Sequence, residues 1–350
     1  MDTNPIPAAV PPRATSPIFF GRFGLRAGWA LGIFLALYFL ISTIGGLFGI
    51  AATGHMSDLL HQQVEAQAHH THVNLASAVP LVPVLYIVED GLTFLGMLVL
   101  CWFFSKAERR QFSAYGIGKS RLFDVLPGAF WGLAALSLLI LLLHATHVLV
   151  FDGRLLHGHA IFLYGLKWLI AFILVGFAEE YFFRGYLQFT LTRGLLGLGE
   201  KISPTRARLI AFWIAALTTS LIFGSLHLGN PGETAFGIFQ VVLIGTVFGY
   251  ALWRTGSLWW AIGFHATWDW AQSFLYGVPD SGGLSIGRLF QTHTAGRPLL
   301  SGGVDGPEGS LLCVPVILLV LLIIHVTTRP GTQPSLEQQP SPQPAPLSIA

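Results

Sequence analysis

Residues 169–185 read LIAFILVGFAEEYFFRG, an apolar run that leads directly into two glutamates, three aromatic residues and an arginine. An ionisable side chain within a membrane helix costs at least about 2.5 kcal/mol, so such residues are functional-site hypotheses until a structural partner explains them. The stretch predicts a membrane helix that carries a polar site. The rest of the fold can be worked out from this helix.

The composition of the whole chain supports a membrane protein. Of its 350 residues 53% are hydrophobic and only 10% are charged, against roughly 25% charged in soluble domains. A soluble enzyme is therefore excluded. The 19 basic and 17 acidic residues give a net charge of +2, which provides no basic field for nucleic acid. Cys101 and Cys313 lie inside apolar runs and build neither a disulfide framework nor a CxxC metal site.

Eight stretches reach or approach the roughly 20 apolar residues that a transmembrane helix needs. We predict an all-α, polytopic transmembrane bundle of about eight spans. A single membrane-embedded domain covers residues 21–329, with its motif-bearing core at about 167–276, and the Pro-rich tails 1–20 and 330–350 are predicted to be disordered. The predicted spans are 27–51, 79–104, 125–150, 160–178, 209–228, 236–253, 257–276 and 311–327.

The distribution of Lys and Arg predicts the orientation, because cytoplasmic loops carry an excess of both. With the N-terminus inside, only Arg154, Arg288 and Arg297 fall in external loops. We therefore predict that both termini are cytoplasmic, in a multi-pass protein of the cell membrane, interpreted as a bacterial plasma membrane.

The first polar cluster is Glu179-Glu180-Tyr181-Phe182-Phe183-Arg184. Residues four apart share one face of a helix, so Glu180 and Arg184 are expected to form an ion pair. Glu179 points about 100° away from Glu180 and is left without this partner. We therefore predict that the carboxylate of Glu180 is structural and that the carboxylate of Glu179 is free.

Two further clusters contain histidines at the same four-residue spacing. Phe223 and His227 share a face near the end of the fifth predicted span, and His265 and Asp269 share a face in the seventh. A structural interpretation remains for each: a packed, hydrogen-bonded histidine in the first case and a self-satisfied His–Asp pair in the second. Bringing all three clusters together would satisfy their polar groups at the lowest cost.

Such a pocket can hydrolyse an amide if ionised Glu179 accepts a proton from a water molecule within about 3 Å. Two mechanisms remain open. The histidines could donate hydrogen bonds to the developing oxyanion, or Glu179, His227 and His265 could ligate a zinc ion that activates the water. The predicted cofactor is accordingly either none or a single divalent metal.

The three motifs, Glu179-Glu180-x-x-x-Arg184, Phe223-x-x-x-His227 and His265-x-x-x-Asp269, resemble the signature of the CAAX-protease and bacteriocin-processing family, also called the CPBP or Abi family. The resemblance covers about residues 110–276, and GPEGS at 306–310 is similar to a segment of some bacterial members. It implies an eight-helix membrane protease that cleaves peptide bonds in or near the bilayer.

The resemblance also implies roles for individual residues. It makes Glu179 the water-activating base together with His227, and it makes His265 with residue 269 the oxyanion support. Arg184 holds Glu180. The aromatic side chains beside these motifs, Phe183, Phe223 and Trp268, are predicted to wall the substrate pocket. Many relatives have asparagine where this chain has Asp269, which leaves Asp269 to orient His265 or to be protonated, because an ionised carboxylate cannot donate a hydrogen bond.

Helix lengths impose a constraint on this site. A fourth helix that starts near residue 160 outside would place Glu179 near the inner surface, whereas His227 would lie near the outer one. We therefore predict that this helix starts nearer Lys167 and runs to about residue 192.

The predicted function is an intramembrane endopeptidase whose partners are the lipid bilayer and a membrane-associated peptide or protein. Two alternatives are a proton-coupled transporter, which predicts internal repeats and broken helices, and a catalytically silent immunity or scaffold protein of the same fold.

Overall fold

The predicted helical membrane bundle is confirmed by the computed structural model, which describes residues 18–21, 24–54 and 82–336. Within these residues, six helical stretches are long and apolar enough to cross a membrane. The protein is therefore a multi-pass α-helical membrane protein. The six stretches are Ala27–Thr53, Pro83–Ala107, Phe112–Ala145, His159–Ile202, Pro204–Gly229 and Ala235–Thr255.

The α-helices are numbered here along the described chain. They are α1 Ala27–Thr53, α2 Pro83–Ala107, α3 Val125–Ala145, α4 His159–Glu180, α5 Gln188–Ile202, α6 Ala207–Leu226, α7 Ala235–Thr255, α8 Trp259–Trp270, α9 Pro298–Ser301 and α10 Cys313–Thr327. Two π-helical segments, Tyr181–Leu187 and Ala271–Tyr276, directly follow α4 and α8. Strands β1 Phe20–Gly21 and β2 Gly24–Leu25 pair antiparallel, as do β3 Leu149–Arg154 and β4 Phe290–Thr294.

The two remaining predicted spans are helical but shorter than the other six. The seventh corresponds to α8 with its π-helical continuation, and the eighth corresponds to the 15 residues of α10. A total of eight spans, with both termini cytoplasmic, therefore stays a prediction. The third predicted span, 125–150, ends at Ala145. The chain turns at His147, which has a φ of 60°, and Leu149 then begins β3.

The fourth helix differs from the prediction at its start. It begins at His159 and not near Lys167, because Gly158, in the short turn after β3 ends at Arg154, adopts a φ of 55°, a conformation that glycine tolerates at no steric cost. Beyond Glu180 the helix continues through the π-helical segment into α5, so that one helical stretch of 44 residues reaches Ile202. The predicted continuation to about residue 192 is thus present, and the helical stretch extends beyond it to Ile202.

Helix α8 packs between α3 and α4, and glycines make this packing close. A Cβ added to Gly128 of α3 would lie 2.1 Å from the carbonyl oxygen of Trp260, and one added to Gly132 would lie 2.2 Å from that of Phe264. On α4, a Cβ at Gly176 would lie 3.2 Å from the backbone of Ala266. Small residues let membrane helices approach backbone to backbone. They fix the position of α8 and of the side chains that it carries.

The predicted disordered tails lie partly outside the described residues, which leave out 1–17 and 337–350. Within the part of the tails that is described, Phe20–Gly21 forms β1, and residues 330–336 lie against the helices.

Replacing Gly128 by valine should destabilise the fold, because the new side chain would meet the backbone of Trp260. We expect a loss at the upper end of the about 1–3 kcal/mol typical of overpacked interiors. The thermal unfolding midpoint of the purified protein measures it. Gly32→Val is the matched control, since no atom lies within 4 Å of a Cβ at Gly32 of α1. Equal midpoints for the two variants would contradict the proposed packing.

Candidate active site

A single carboxylate oxygen connects two of the three sequence motifs. Arg184 donates from Nη1 to Oε1 of Glu180 over 3.1 Å, which is the ion pair that the spacing predicts. His265 of α8 places Nδ1 at 3.0 Å from the same oxygen. Both side chains of the ion pair are fully buried. The contact therefore fixes the imidazole of one helix to the ion pair of another.

The second ring nitrogen of His265 lies between two further carboxylates. Its Nε2 is 3.3 Å from Oδ2 of Asp269 and 3.6 Å from Oε2 of Glu179. The Glu179 side chain retains 35% of its exposure, whereas that of Glu180 retains none. Two adjacent glutamates are thus in different states: one is held in an apolar interior, and the other is open to solvent or substrate.

Aromatic rings enclose Arg184. Its guanidinium carbon lies 4.6 Å from the ring centroid of Phe223, 5.6 Å from that of Phe183 and 5.8 Å from that of Phe248. A cation over an aromatic face is stabilised by the ring quadrupole, and more so away from water. The predicted pocket residue Phe223 therefore supports the ion pair in addition to facing the site.

His227 follows α6 and faces the same region. Its ring packs against Phe223 with centroids 4.8 Å apart, and its Nδ1 lies 2.9 Å from the carbonyl oxygen of Phe223. A carbonyl oxygen only accepts, so Nδ1 carries the hydrogen and Nε2 of the neutral ring is left as an acceptor. This arrangement suits a histidine that receives a hydrogen bond from water.

One cavity of about 100 Å³ joins the second and third motifs. Its lining includes His227, His265, Asp269, Phe223 and Trp268. Glu179 and Phe183 are absent from the lining. Glu179 reaches the site through its contact with His265, and Phe183 packs behind Phe223 with ring centroids 4.9 Å apart.

The cavity also has polar residues that the motif analysis did not assign. Glu308 accepts from Gln272 Nε2 over 2.5 Å and from the backbone N–H of Ser281 over 2.6 Å. Gln240 donates to the carbonyl oxygen of Glu308 over 2.5 Å, and Asp280 lies in the same wall. Two signals were available: Gln272 lies three residues after Asp269 on the same helical face, and Glu308 is the acidic residue of GPEGS.

Burial raises the pKa of two carboxyl groups in the cavity wall, those of Asp280 and Glu308. It raises the pKa of Asp280 to about 6, although the hydroxyl of Ser273, which donates to Oδ2 over 2.7 Å, acts in the opposite direction. Burial and the neighbouring Asp280 and Asp305 also hold the pKa of Glu308 well above its usual range. The cavity wall therefore keeps protons at pH values where surface carboxylates are ionised.

The zinc alternative can be tested against the donor arrangement. Among the residues in the described ranges, no group of three His, Cys, Asp or Glu side chains is placed to hold a metal ion. Nδ1 of His265 is hydrogen-bonded to Glu180, which leaves Nε2 available to a metal, and a zinc ion held by Glu179, His227 and His265 stays a prediction.

The fold and the site define a class of protein: a multi-pass helical membrane protein with a Glu–Arg–His cluster beside a small internal cavity. Residues 161–271 match the family model described as type II CAAX prenyl endopeptidase Rce1-like. The matched stretch contains all three motifs, and it confirms the resemblance to the CAAX-protease family that they predict. This family is one of peptidases. No curated protein and no solved structure matches the chain.

The ion pair of Glu180 and Arg184 should stabilise the fold, because each buried charge compensates the other. We expect Glu180→Ala to cost about 3–5 kcal/mol in the free energy of unfolding, because it leaves a buried guanidinium unpaired. The double variant Glu180→Leu with Arg184→Met should recover most of this loss, since apolar residues of similar volume replace buried ion pairs at little cost. Thermal unfolding of the three proteins measures both effects. A double variant no more stable than Glu180→Ala would contradict the interpretation.

The raised pKa of Asp280 predicts a pH dependence of stability. The folded protein holds a proton that the unfolded chain releases, so the stabilisation is complete below about pH 4 and is lost as the pH rises through about 6. The loss amounts to at most about 3 kcal/mol. Unfolding midpoints measured from pH 4 to 8 should therefore fall less in Asp280→Asn than in the unchanged protein. Asp124→Asn, outside the cavity and paired with Arg121, which stays charged across this pH range, should leave the profile unchanged.

Proposed function

We propose that this protein is an intramembrane endopeptidase that hydrolyses a peptide bond of a membrane-associated substrate with a glutamate-activated water. The single observation that carries the proposal is the different environment of the two adjacent glutamates. Glu180 is buried and engaged by Arg184 and His265, whereas Glu179 is partly exposed beside His265. A fixed carboxylate and a free one, joined by an imidazole, form a unit that can orient and deprotonate water.

In the proposed first step, ionised Glu179 removes a proton from a water molecule, and the water oxygen attacks the carbonyl carbon of the scissile amide. Nε2 of His227 orients this water by accepting its second hydrogen, because Nδ1 already donates to Phe223. The carbon becomes tetrahedral, and its former carbonyl oxygen becomes an oxyanion.

His265 is the proposed donor to this oxyanion in its doubly protonated form, in which Nδ1 donates to the carboxylate of Glu180 and Nε2 carries the second hydrogen. Its Nδ1 is held by Glu180, which leaves the opposite edge of the ring, at Nε2, pointing towards Glu179 and Asp269. A donor held in place before the reaction stabilises developing charge with little reorganisation, which is worth about 10²–10³ in rate. Asp269 orients the ring, because an ionised carboxylate has no hydrogen to donate.

The second step returns the proton. Glu179 transfers it to the amide nitrogen as the C–N bond breaks, which releases an amine and a carboxylic acid and restores the ionised glutamate. Glu180 and Arg184 act as positioning residues throughout, since Glu180 touches His265 and Arg184 touches Glu180. The proposed substrates are peptides of the CAAX or bacteriocin type that reach the site from the bilayer.

A transporter or a silent scaffold could also contain buried polar residues. For both of these functions Glu179 would be one polar residue among several, whereas hydrolysis requires its carboxylate. The family of peptidases that residues 161–271 match supports hydrolysis. Replacement of Glu179 therefore discriminates among the three functions.

We expect Glu179→Gln and His227→Ala to reduce cleavage of a membrane-associated reporter peptide by about 10²–10⁴, the usual contribution of general-base catalysis. Helix content and unfolding midpoint should remain those of the unchanged protein. The assay uses purified protein in vesicles with prenylated and unprenylated reporters, and Asp152→Asn serves as the carboxylate control. Full turnover by Glu179→Gln would end the proposal in this form.

A further inference from the structure

The cavity beside the candidate active site has two ends of different chemistry. His265, Asp269 and Gln272 follow one another along one face of α8 and its π-helical continuation, and all three line the cavity. Seven helical residues rise roughly 10 Å, so His265 and Gln272 mark opposite ends of this wall. The proposed hydrolysis takes place at the His265 end, and the Gln272 end has no role in it.

Two glutamines at the far end, Gln272 and Gln240 of α7, are each 1% exposed and line the cavity. Nε2 of Gln272 donates to the carbonyl oxygen of Pro279 over 2.8 Å. Nε2 of Gln240 donates to the carbonyl oxygens of Glu308 and Ser310 over 2.5 and 3.0 Å. Because a carbonyl oxygen only accepts, these contacts fix each amide nitrogen and leave Oε1 as an acceptor. Within the described residues, neither buried Oε1 atom has a hydrogen-bond partner.

The N–H and O–H groups around these two oxygens are already engaged. Glu308 accepts from Gln272 and from the backbone N–H of Ser281. Asp280 accepts from the hydroxyl of Ser273. A buried acceptor without a donor is unfavourable, since it loses the hydrogen bond that water would give it. This end of the cavity therefore suits a group that brings its own hydrogen-bond donors.

The charge of the lining favours a donor that is a cation. Within the described part of the chain, the cavity is lined by no lysine or arginine and by three carboxylates, those of Asp269, Asp280 and Glu308. Asp269 lies 3.3 Å from Nε2 of His265, which can compensate its charge. Asp280 has only the neutral hydroxyl of Ser273 as its side-chain partner. A cation at the Gln272 end would supply the compensation that Asp280 lacks.

The size and the apolar walls of the cavity indicate a single long side chain. Its volume of about 100 Å³ exceeds the roughly 10–15 Å³ that one water molecule needs. It is well below the roughly 300–1,000 Å³ of pockets that enclose a whole ligand. Most of the remaining lining is apolar and includes Val241, Ile244 and Ile317. Lysine and arginine place an apolar stem along such a surface and keep a charged head among polar groups.

We propose that this cavity is a specificity pocket for a basic side chain of the substrate, whose cationic head is bound by the amide oxygens of Gln240 and Gln272 and by the carboxylate of Asp280. An ammonium group has three hydrogens to donate, and the pocket offers these three acceptors. The assignment rests on the proposed peptidase function, because a peptide held at His227 and His265 directs one side chain into the cavity. The substrate class is a membrane-associated peptide with lysine or arginine next to the scissile bond.

The test compares probes that differ in one side chain. The probes are fluorescent, amidated pentapeptides of alanine with a central lysine, norleucine or glutamate, of which norleucine keeps the apolar stem of lysine without its ammonium group. Binding to full-length Glu179→Gln protein, which is expected to leave the probes uncut, is measured by fluorescence anisotropy in an uncharged detergent. The assay is run at pH 8, because burial raises the pKa of Asp280 to about 6.

We expect the lysine probe to bind about tenfold or more tightly than the norleucine probe, since it makes hydrogen bonds between charged groups. The glutamate probe should bind most weakly, because its carboxylate would meet Asp280. This comparison uses one protein and does not depend on the folding of a pocket variant. Equal binding of the lysine and norleucine probes would overturn the proposal.

A variant locates the preference within the protein. In the same Glu179→Gln background, Asp280→Asn keeps the side-chain volume and an oxygen that can accept from Ser273, but it removes the charge. It should reduce binding of the lysine probe by about tenfold and leave the norleucine probe unchanged. Asp152→Asn, on β3 and outside the lining of the cavity, is the matched control and should keep the full preference. A lysine preference that Asp280→Asn does not diminish would also overturn the proposal.

A failure of the pocket differs from a failure of the peptidase function. Selective binding of the lysine probe by a protein that cleaves no reporter would contradict hydrolysis and support the pocket. Cleavage that requires Glu179, combined with equal binding of the lysine and norleucine probes, would support hydrolysis and overturn the pocket.

Discussion

The structure depends on one buried carboxylate oxygen. Glu180 Oε1 lies within hydrogen-bonding distance of both Arg184 and His265, and both side chains of the ion pair are fully buried. Removing a carboxylate from water costs several kcal/mol, and only an excellent arrangement of partners offsets that cost. Arg184 supplies one partner from the same helical stretch and His265 supplies a second from another helix, so this carboxylate also connects α4 to α8. The polar residues that define the site are, in this sense, also structural.

This connection requires close approach of the helices. Gly176 of α4 and Gly128 and Gly132 of α3 leave room for the backbone of α8, and a methyl group at any of them would meet backbone atoms. The glycines contribute nothing to the chemistry. They set the distance over which an imidazole on α8 can reach a carboxylate on α4. Packing of small residues therefore brings the first and third sequence motifs into one site.

The sequence predicted those parts of the site that depend on local geometry. The pairs Glu180–Arg184, Phe223–His227 and His265–Asp269 follow from the four-residue spacing of a helix. The π-helical segments after Glu180 and Trp270 could not be predicted, because their hydrogen-bond shift leaves no mark in hydrophobic periodicity. Such insertions frequently occur at functional sites. Glu308 and Asp280 join the cavity through tertiary contacts of a long loop, which residue spacing does not reveal.

Arg184 contacts two different regions of the protein, and its position between them limits how one region can influence the other. On one side it binds Glu180, which holds His265 at the wall of the larger cavity. On the other side it lines the small cavity beneath residues 330–336. Three aromatic rings hold the guanidinium between these regions. Any movement of Arg184 towards the small cavity would leave Glu180 buried without its cation, which the apolar surroundings strongly disfavour. Glu180 and Arg184 are therefore expected to move only together, which keeps His265 in place at the wall of the larger cavity.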